Sequence, residues 1–526
     1  MSTEDQKAST VTLCKGVDTT KFMEDMAKAG YELHDENVPS LRNFDYVLSP
    51  TQINTLKSDS RIIDIRYGTQ EENGIKLLPS ALRAPFDFKK DGTLSGGNWG
   101  LPACIDNSDL WSGVAGTLNN YRAPFTLTGA NVDVVVQDSG IQTDHPEWKD
   151  TPREGNVVGG SSFGTSRYQT VDWPTISGQQ AFYTQDANFH RDLDGHGTHV
   201  ASIIAGKLYG WANEAKIYSL KLKNLSDTTG FETNHSLTML RHWHNSKSGS
   251  RPTICNMSWT TVSTYANIAG GVYRGSNFSG SKGDVANGSL QQYGIVPITA
   301  DGSGDYFVPI RDASIDADIE DCIDAGVIMV GAAGDYRMRM DIFGGADYDN
   351  YFNYTDISGL AQTRRYHRGG TPGATDGVIC VGAIGASYNS GKENIWENGN
   401  RGPRIDVFAP GQYIMGALST SHSSNNAAGN SNYPLDSNTF KSNGFTGSSF
   451  AAAQVTGLLA CLLQIRQNLT QAECLQFLKD NAQNNRLQDD TTGTPANDYA
   501  NGTALHGAAN RFLKQPFNGS IAFGFR

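Results

Sequence analysis

The segment from Asn443 to Gly457, NGFTGSSFAAAQVTG, restricts the fold more than any other part of the chain. A glycine-bounded turn runs straight into an apolar helix, and Gly447, Ala451, Ala452 and Gly457 leave room for other backbone to approach closely. Ser449 stands at the start of that helix. A serine there can be a simple N-cap, its hydroxyl satisfying free backbone N–H groups. The crowding of small residues, with the helix dipole aimed at the hydroxyl, suits a nucleophile instead. On this segment alone both readings stand.

Two further stretches bear on the choice. Residues 132–140, VDVVVQDSG, read as a short β-branched strand that ends on Asp138, with Gly140 turning the chain away. Residues 194–206, DGHGTHVASIIAG, read as a turn followed by a helix that begins just after His196. A carboxylate at a strand's carboxyl end, with an imidazole and a hydroxyl at two helix starts, is what a charge-oriented Asp, His, Ser relay needs. Between and beyond these motifs, β-rich runs at 212–222, 254–259, 327–331 and 378–383 alternate with helical stretches. Such alternation implies a largely parallel sheet with helices on both faces, and ligands beyond the strands' carboxyl ends.

With these three motifs in the order Asp, His, Ser, the chain resembles the subtilisin-like serine proteases over most of residues 98–526. Trp99-Gly-Leu, Asn256-Met-Ser-Trp259, Val330-Gly-Ala-Ala-Gly334, Asn400-Arg-Gly-Pro403 and Ala409-Pro-Gly411 follow in the family's order. The resemblance implies a subtilisin-like α/β fold and a hydrolase acting on polypeptides. By it Ser449 is the nucleophile, His196 the general base and Asp138 the residue that orients the imidazole. Ser258, Trp259 and Thr260, with Ala332, Ala333 and Gly334, match the two strands flanking the family's main specificity pocket, where an extended peptide is held by backbone pairing. Asp335 and Ser449 match the oxyanion site.

Three departures stand out against that family. Thr260 and Thr261 replace a usual pair of glycines, which narrows the pocket and disfavours a large aromatic before the cut bond. Ala453 replaces a usual proline. Asp335 replaces the asparagine whose amide donates to the oxyanion, and losing such a donor costs roughly 10²–10³ in turnover. An ionised carboxylate would repel the developing charge, whereas a protonated one can donate, so activity is expected to extend to lower pH than usual. The sedolisins and a branch of the proprotein convertases also resemble this chain in having aspartate there, although the sedolisins use glutamate where this chain has His196.

Ahead of the catalytic part, residues 1–67 read as a small α+β module. Asp18 caps a helix carrying Phe22, Met23 and Met26 on one face, and Ser49 to Gln52 form a capping box with proline at the first helical position. The β-α-β, β-α-β order suggests a ferredoxin-like fold. Placed before a subtilisin-like domain, the module resembles the family's inhibitory prosegment, so the chain's own prosegment is an expected partner. Residues 68–97 read as a linker holding the cleavage point. A glycine-, serine- and tyrosine-rich stretch at 262–315 reads as an insertion in the catalytic domain.

A formal net charge of −12 with no long basic run argues against nucleic acid as a partner. No window approaches the ~20 apolar residues of a membrane span, and no membrane partner is expected. The opening ten residues are polar and lack a secretory signal's apolar core. Seven scattered cysteines without a Cys-x-x-Cys pair read as free thiols in a reducing compartment. The expected location is therefore cytoplasmic or within a particle such as a virion. His145 lacks a second ligand at zinc-like spacing, and His199 reads as a packed structural histidine. No cofactor is implied; calcium stays open without an assigned site, as does the oligomeric state. Two functions stand: a zymogen of a serine endopeptidase, and a weak or inactive structural or binding protein on the same scaffold.

Overall fold

The structure, a computed structural model, describes residues 6–13, 17–34, 43–67, 81–82, 86–89, 97–105, 117–121, 124–125, 127–149, 166–178, 185, 191–223, 230–298, 305–356, 358–389, 391–422, 430–432, 439–489 and 504–517. The chain divides into two compact units, Met1–Pro79 and Ser80–Arg526. Most of the expected linker, 68–97, lies outside the described residues.

In the first unit, strands Lys7–Leu13, Glu32–Leu33, Asn43–Leu48 and Ile62–Tyr67 form an antiparallel sheet. Helices Thr19–Lys28 and Pro50–Leu56 start where local chemistry starts them. The Asp18 carboxylate accepts from Lys21 N at 3.0 Å, and Ser49 and Gln52 exchange side-chain and backbone hydrogen bonds in a capping box. Phe22, Met26, Ile53 and Leu56 pack on Val11, Leu13, Tyr46 and Leu48.

The second unit is built on a ten-stranded, largely parallel sheet. Strand Asp133–Asp138 lies between Lys216–Lys221 and Thr253–Met257, and Ile328–Ala332, Ile379–Asn389 and Val407–Pro410 continue outward in parallel. Alternate side chains of these strands enter different cores, as the two-residue period of a strand requires. Val134, Val136, Ile254 and Val330 share a core with helices His196–Ala205 and Ser448–Ile465. Val135, Cys255, Met257 and Met329 share another with helices Thr233–Ser246 and Ala313–Asp324. Strand order reverses around Asp133–Asp138, so the crevice beyond its carboxyl end is the switch point where open α/β sheets bind ligands.

Helix Ser448–Ile465 corrects one sequence expectation, because by length and composition it is apolar enough to cross a membrane. Its apolar window is 89% buried inside the fold. A helix enclosed by sheet and neighbouring helices is apolar on all sides for that reason. The six described cysteines are buried thiols with no disulfide among them, and Cys14 lies outside the described residues.

The region 262–315 contributes Val262–Tyr273, Ser276–Phe278 and Tyr306–Pro309 to a separate five-stranded antiparallel sheet. Tyr351–Asp356 and Ala361–Arg365, later in the chain, complete it. Its core is largely aromatic, with Tyr265, Phe352, Tyr354 and Tyr366 in one buried cluster with Met338.

Candidate active site

Asp138 is the last residue of its strand and is buried. Its Oδ1 accepts from Ser139 N at 2.7 Å and lies 2.8 Å from His196 Nδ1. His196 opens its helix, and the glycines on both sides of it have separate reasons. Gly195 has φ 82°, a left-handed conformation that favours glycine, and a Cβ there would meet the His422 ring. A Cβ on Gly197 would overlap the Gly140 carbonyl oxygen and stand 3.2 Å from Asp138 Cβ. The helix therefore seats directly on the turn that follows the aspartate.

Sequence reasoning missed the group that ties these parts together. Asp192, fully buried, accepts from Ser139 Oγ and Gly195 N at 2.9 Å through Oδ1, and from Thr198 N and Thr198 Oγ1 at 2.9 and 2.6 Å through Oδ2. Ser139 Oγ in turn accepts from Gly197 N at 2.9 Å. Its only sequence signal was an acidic residue shortly before a helix start, where the dipole favours negative charge.

Burial opposes protonation of His196, but the charge and hydrogen bond of Asp138 outweigh it and raise the imidazole to about 9. His199, one turn on, is buried between Phe445 and Phe450 with Nε2 2.9 Å from Ile414 O. His145 is buried edge-on to Phe440, its Nδ1 accepting from Glu147 N at 3.1 Å. Burial pushes both imidazoles down to about 3. Among the described residues no group of three or more His, Cys, Asp or Glu is placed to hold a metal ion.

Ser449 is the second residue of its helix, and the ring of the next residue, Phe450, lies 5.4 Å from that of His196. The Ser449 hydroxyl donates to Ser258 O at 3.0 Å, while Ser258 Oγ donates to Ser449 O at 2.8 Å. Among the described hydrogen bonds none joins Ser449 Oγ to His196.

Asp335 follows Gly334, whose φ of 99° turns the chain back towards the same helix. Its Oδ1 accepts from Ser448 N at 2.9 Å, and Gly334 N donates to Ser448 Oγ at 3.0 Å. An asparagine here would make the same acceptor contact and carry its amide where Oδ2 now stands. Burial raises the Asp335 carboxyl, against the opposing pull of Ser448 and of positive charge on His196.

Ser258, Trp259 and Thr260 leave strand Thr253–Met257, and Ala332 to Gly334 leave the adjacent parallel strand Ile328–Ala332. Trp259 Nε1 donates to Gln137 Oε1 at 3.2 Å. A Cβ on Gly370 would overlap Thr260 Oγ1. Thr261 N donates to Thr371 O at 2.8 Å and its carbonyl accepts from Ile310 N at 3.0 Å.

The sheet and helices make a subtilisin-like α/β fold, and comparison with known proteins gives the family. The chain belongs to the Subtilase family, peptidase class S8, whose family model matches residues 129–502. It is 24% identical over 308 residues to a cuticle-degrading serine protease of Arthrobotrys oligospora, covering 57% of this chain and 50% of that one. Over 416 residues it is 25% identical to subtilisin-like protease 8 of Trichophyton verrucosum, covering 77% and 61%. A solved cold-adapted subtilisin-like serine proteinase is 18% identical at TM-score 0.46, covering 79% of this chain and 97% of that structure. The chain spans about half the length of the first of these relatives.

Proposed function

We propose that the chain is a serine endopeptidase made as a zymogen, with Ser449 as nucleophile. Ser449 Oγ attacks the peptide carbonyl carbon while His196 Nε2 takes its proton. The C–N bond then breaks, the leaving amine takes that proton, and an acyl-enzyme ester forms. Water, deprotonated by His196, hydrolyses the ester and restores the serine. The observation that carries this reading is the 2.8 Å contact of Asp138 Oδ1 with His196 Nδ1, which leaves Nε2 for the serine. A neutral Asp335 donates to the oxyanion through Oδ2, beside the Ser449 N–H.

Residues 1–67 act as the inhibitory prosegment, 68–97 hold the cleavage point and 98–526 form the catalytic domain with its insertion. A second reading, a non-catalytic subtilisin-fold protein of a larger particle, draws on one feature: an ionised Asp335 would oppose the oxyanion. A fluorophosphonate probe applied from pH 5 to pH 10 separates the two. Wild type is expected to label and to shorten to a form beginning between residues 68 and 98, while Ser449→Ala stays unlabelled and whole. Absence of labelling throughout that range sinks the peptidase reading; labelling without shortening sinks the prosegment.

Substrate choice follows from Thr260 and Thr261 in the pocket wall. Small or medium side chains are expected before the cut bond, because lack of room excludes large rings most sharply. A peptide-library profile led by Phe or Tyr at that position refutes it.

A further inference from the structure

Asn400 lies far along the chain from Asp335 and yet holds the backbone on both sides of it. It is 1% exposed. Its amide Nδ2 donates to Ala333 O at 2.7 Å, its Oδ1 accepts from Tyr336 N at 3.1 Å and Met338 N at 3.0 Å, and its own N–H donates to Gly334 O at 2.8 Å. A Cβ on Gly334 would stand 2.8 Å from Asn400 Nδ2, so that glycine both turns the chain and admits the clamp. The amide thus has both a donor and an acceptor matched to one loop, which no charged or apolar residue of that size supplies.

The same loop is gripped at two other points. Gly334 N is bonded to Ser448 Oγ, and Met338 is buried in the aromatic core of the antiparallel sheet, with Tyr336 edge-on to Phe307 at 6.2 Å. Between these anchors the Asp335 carboxylate, for which a role in the oxyanion site is proposed, reaches the start of helix Ser448–Ile465. We infer that Asn400 is a positioning residue for the oxyanion site, holding the Ala333–Met338 backbone so that the Asp335 carboxyl meets the N-terminus of the serine's helix. The inference rests on the peptidase reading above. It gives a purpose to the Asn400-Arg-Gly-Pro403 motif, which had none beyond its likeness to the family.

A group that holds an oxyanion donor acts on the transition state and not on ground-state binding. Measured on the acid side of the profile, where the Asp335 carboxyl is protonated, Asn400→Ala is therefore expected to lower kcat by about 10- to 100-fold with KM changed less than about threefold. The decisive arm is a double-mutant cycle with Asp335→Ala. Once the positioned group is gone, Asn400→Ala should cost less than about twofold in kcat. Asn400→Asp, which keeps the acceptor for Tyr336 N and Met338 N, repeats the cycle if the alanine variant does not fold. Costs that add fully in the cycle, or a loss expressed only in KM, overturn the inference while leaving the peptidase reading intact. Failure of wild type to label or turn over defeats that reading first and this one with it.

Discussion

Asp335→Asn is expected to raise turnover at neutral pH, by an amount bounded by the ~10²–10³ worth of one oxyanion donor. In the proposed mechanism the wild-type site makes two demands of opposite sign. His196 must be neutral to act as a base, and the pull of Asp138 lifts its pKa to about 9. Asp335 must be protonated to donate, and although burial raises its carboxyl, its fraction protonated falls as pH rises. Raising pH towards 9 therefore improves the base while removing the donor. The wild-type kcat/KM profile should be bell-shaped and low at its maximum, since one protonation state serves both groups only in part. Protonation of His196 sets the acid limit, and the raised imidazole moves that limit upward, which narrows the low-pH window a protonated Asp335 opens. An asparagine needs no proton, and the variant should keep only the rising limb, levelling off above about 9. Steady-state kcat/KM from pH 5 to pH 10 tests this; a variant no faster than wild type at pH 7 places Asp335 outside the oxyanion site.

What was legible in the sequence was legible because its causes are local. The helix starts at Asp18 and Ser49 are set by partners three residues away, and the caps stand where the residue types placed them. The run of β-branched residues before Asp138 read as a strand, and Asp133–Asp138 is one, buried along its whole length. Asp192 and Asn400 were missed for the opposite reason. The partners of Asp192 include Ser139, 53 residues earlier, and those of Asn400 lie 62 to 67 residues earlier. No pattern of residue types predicts such pairings. The acceptor contact of Asp335 with Ser448 spans 113 residues and was equally hidden. Composition marked 262–315 as an insertion, without its internal structure. It is a sheet completed by 351–365, because alternating aromatic residues in strands far apart in sequence find one another only in the folded core.

Asp133→Ala should destabilise the unit Ser80–Arg526 by about 3–5 kcal/mol, the usual cost of removing one partner from a buried ion pair. Asp133 starts the strand that ends on Asp138, and it is fully buried. Its Oδ2 accepts from Lys247 Nζ and its Oδ1 from Arg251 Nε, each at 2.8 Å. Lys247 has a side chain only 6% exposed. Burial pushes that ammonium's pKa down while Asp133 holds it up. With the carboxylate gone the lysine is left charged in the interior, so the folded state binds its proton less well than the unfolded chain does. The deficit from that lysine is then greatest at low pH and shrinks as pH rises towards its unfolded value of about 10.4. Adding Lys247→Met should recover part of the loss at neutral pH, because an apolar side chain of similar length carries no uncompensated charge. Urea midpoints, measured in a Ser449→Ala background to prevent self-digestion, test both the size and the pH trend. A loss below about 1 kcal/mol, or one that grows with pH, would show that Asp133 does not carry the compensation this geometry assigns to it.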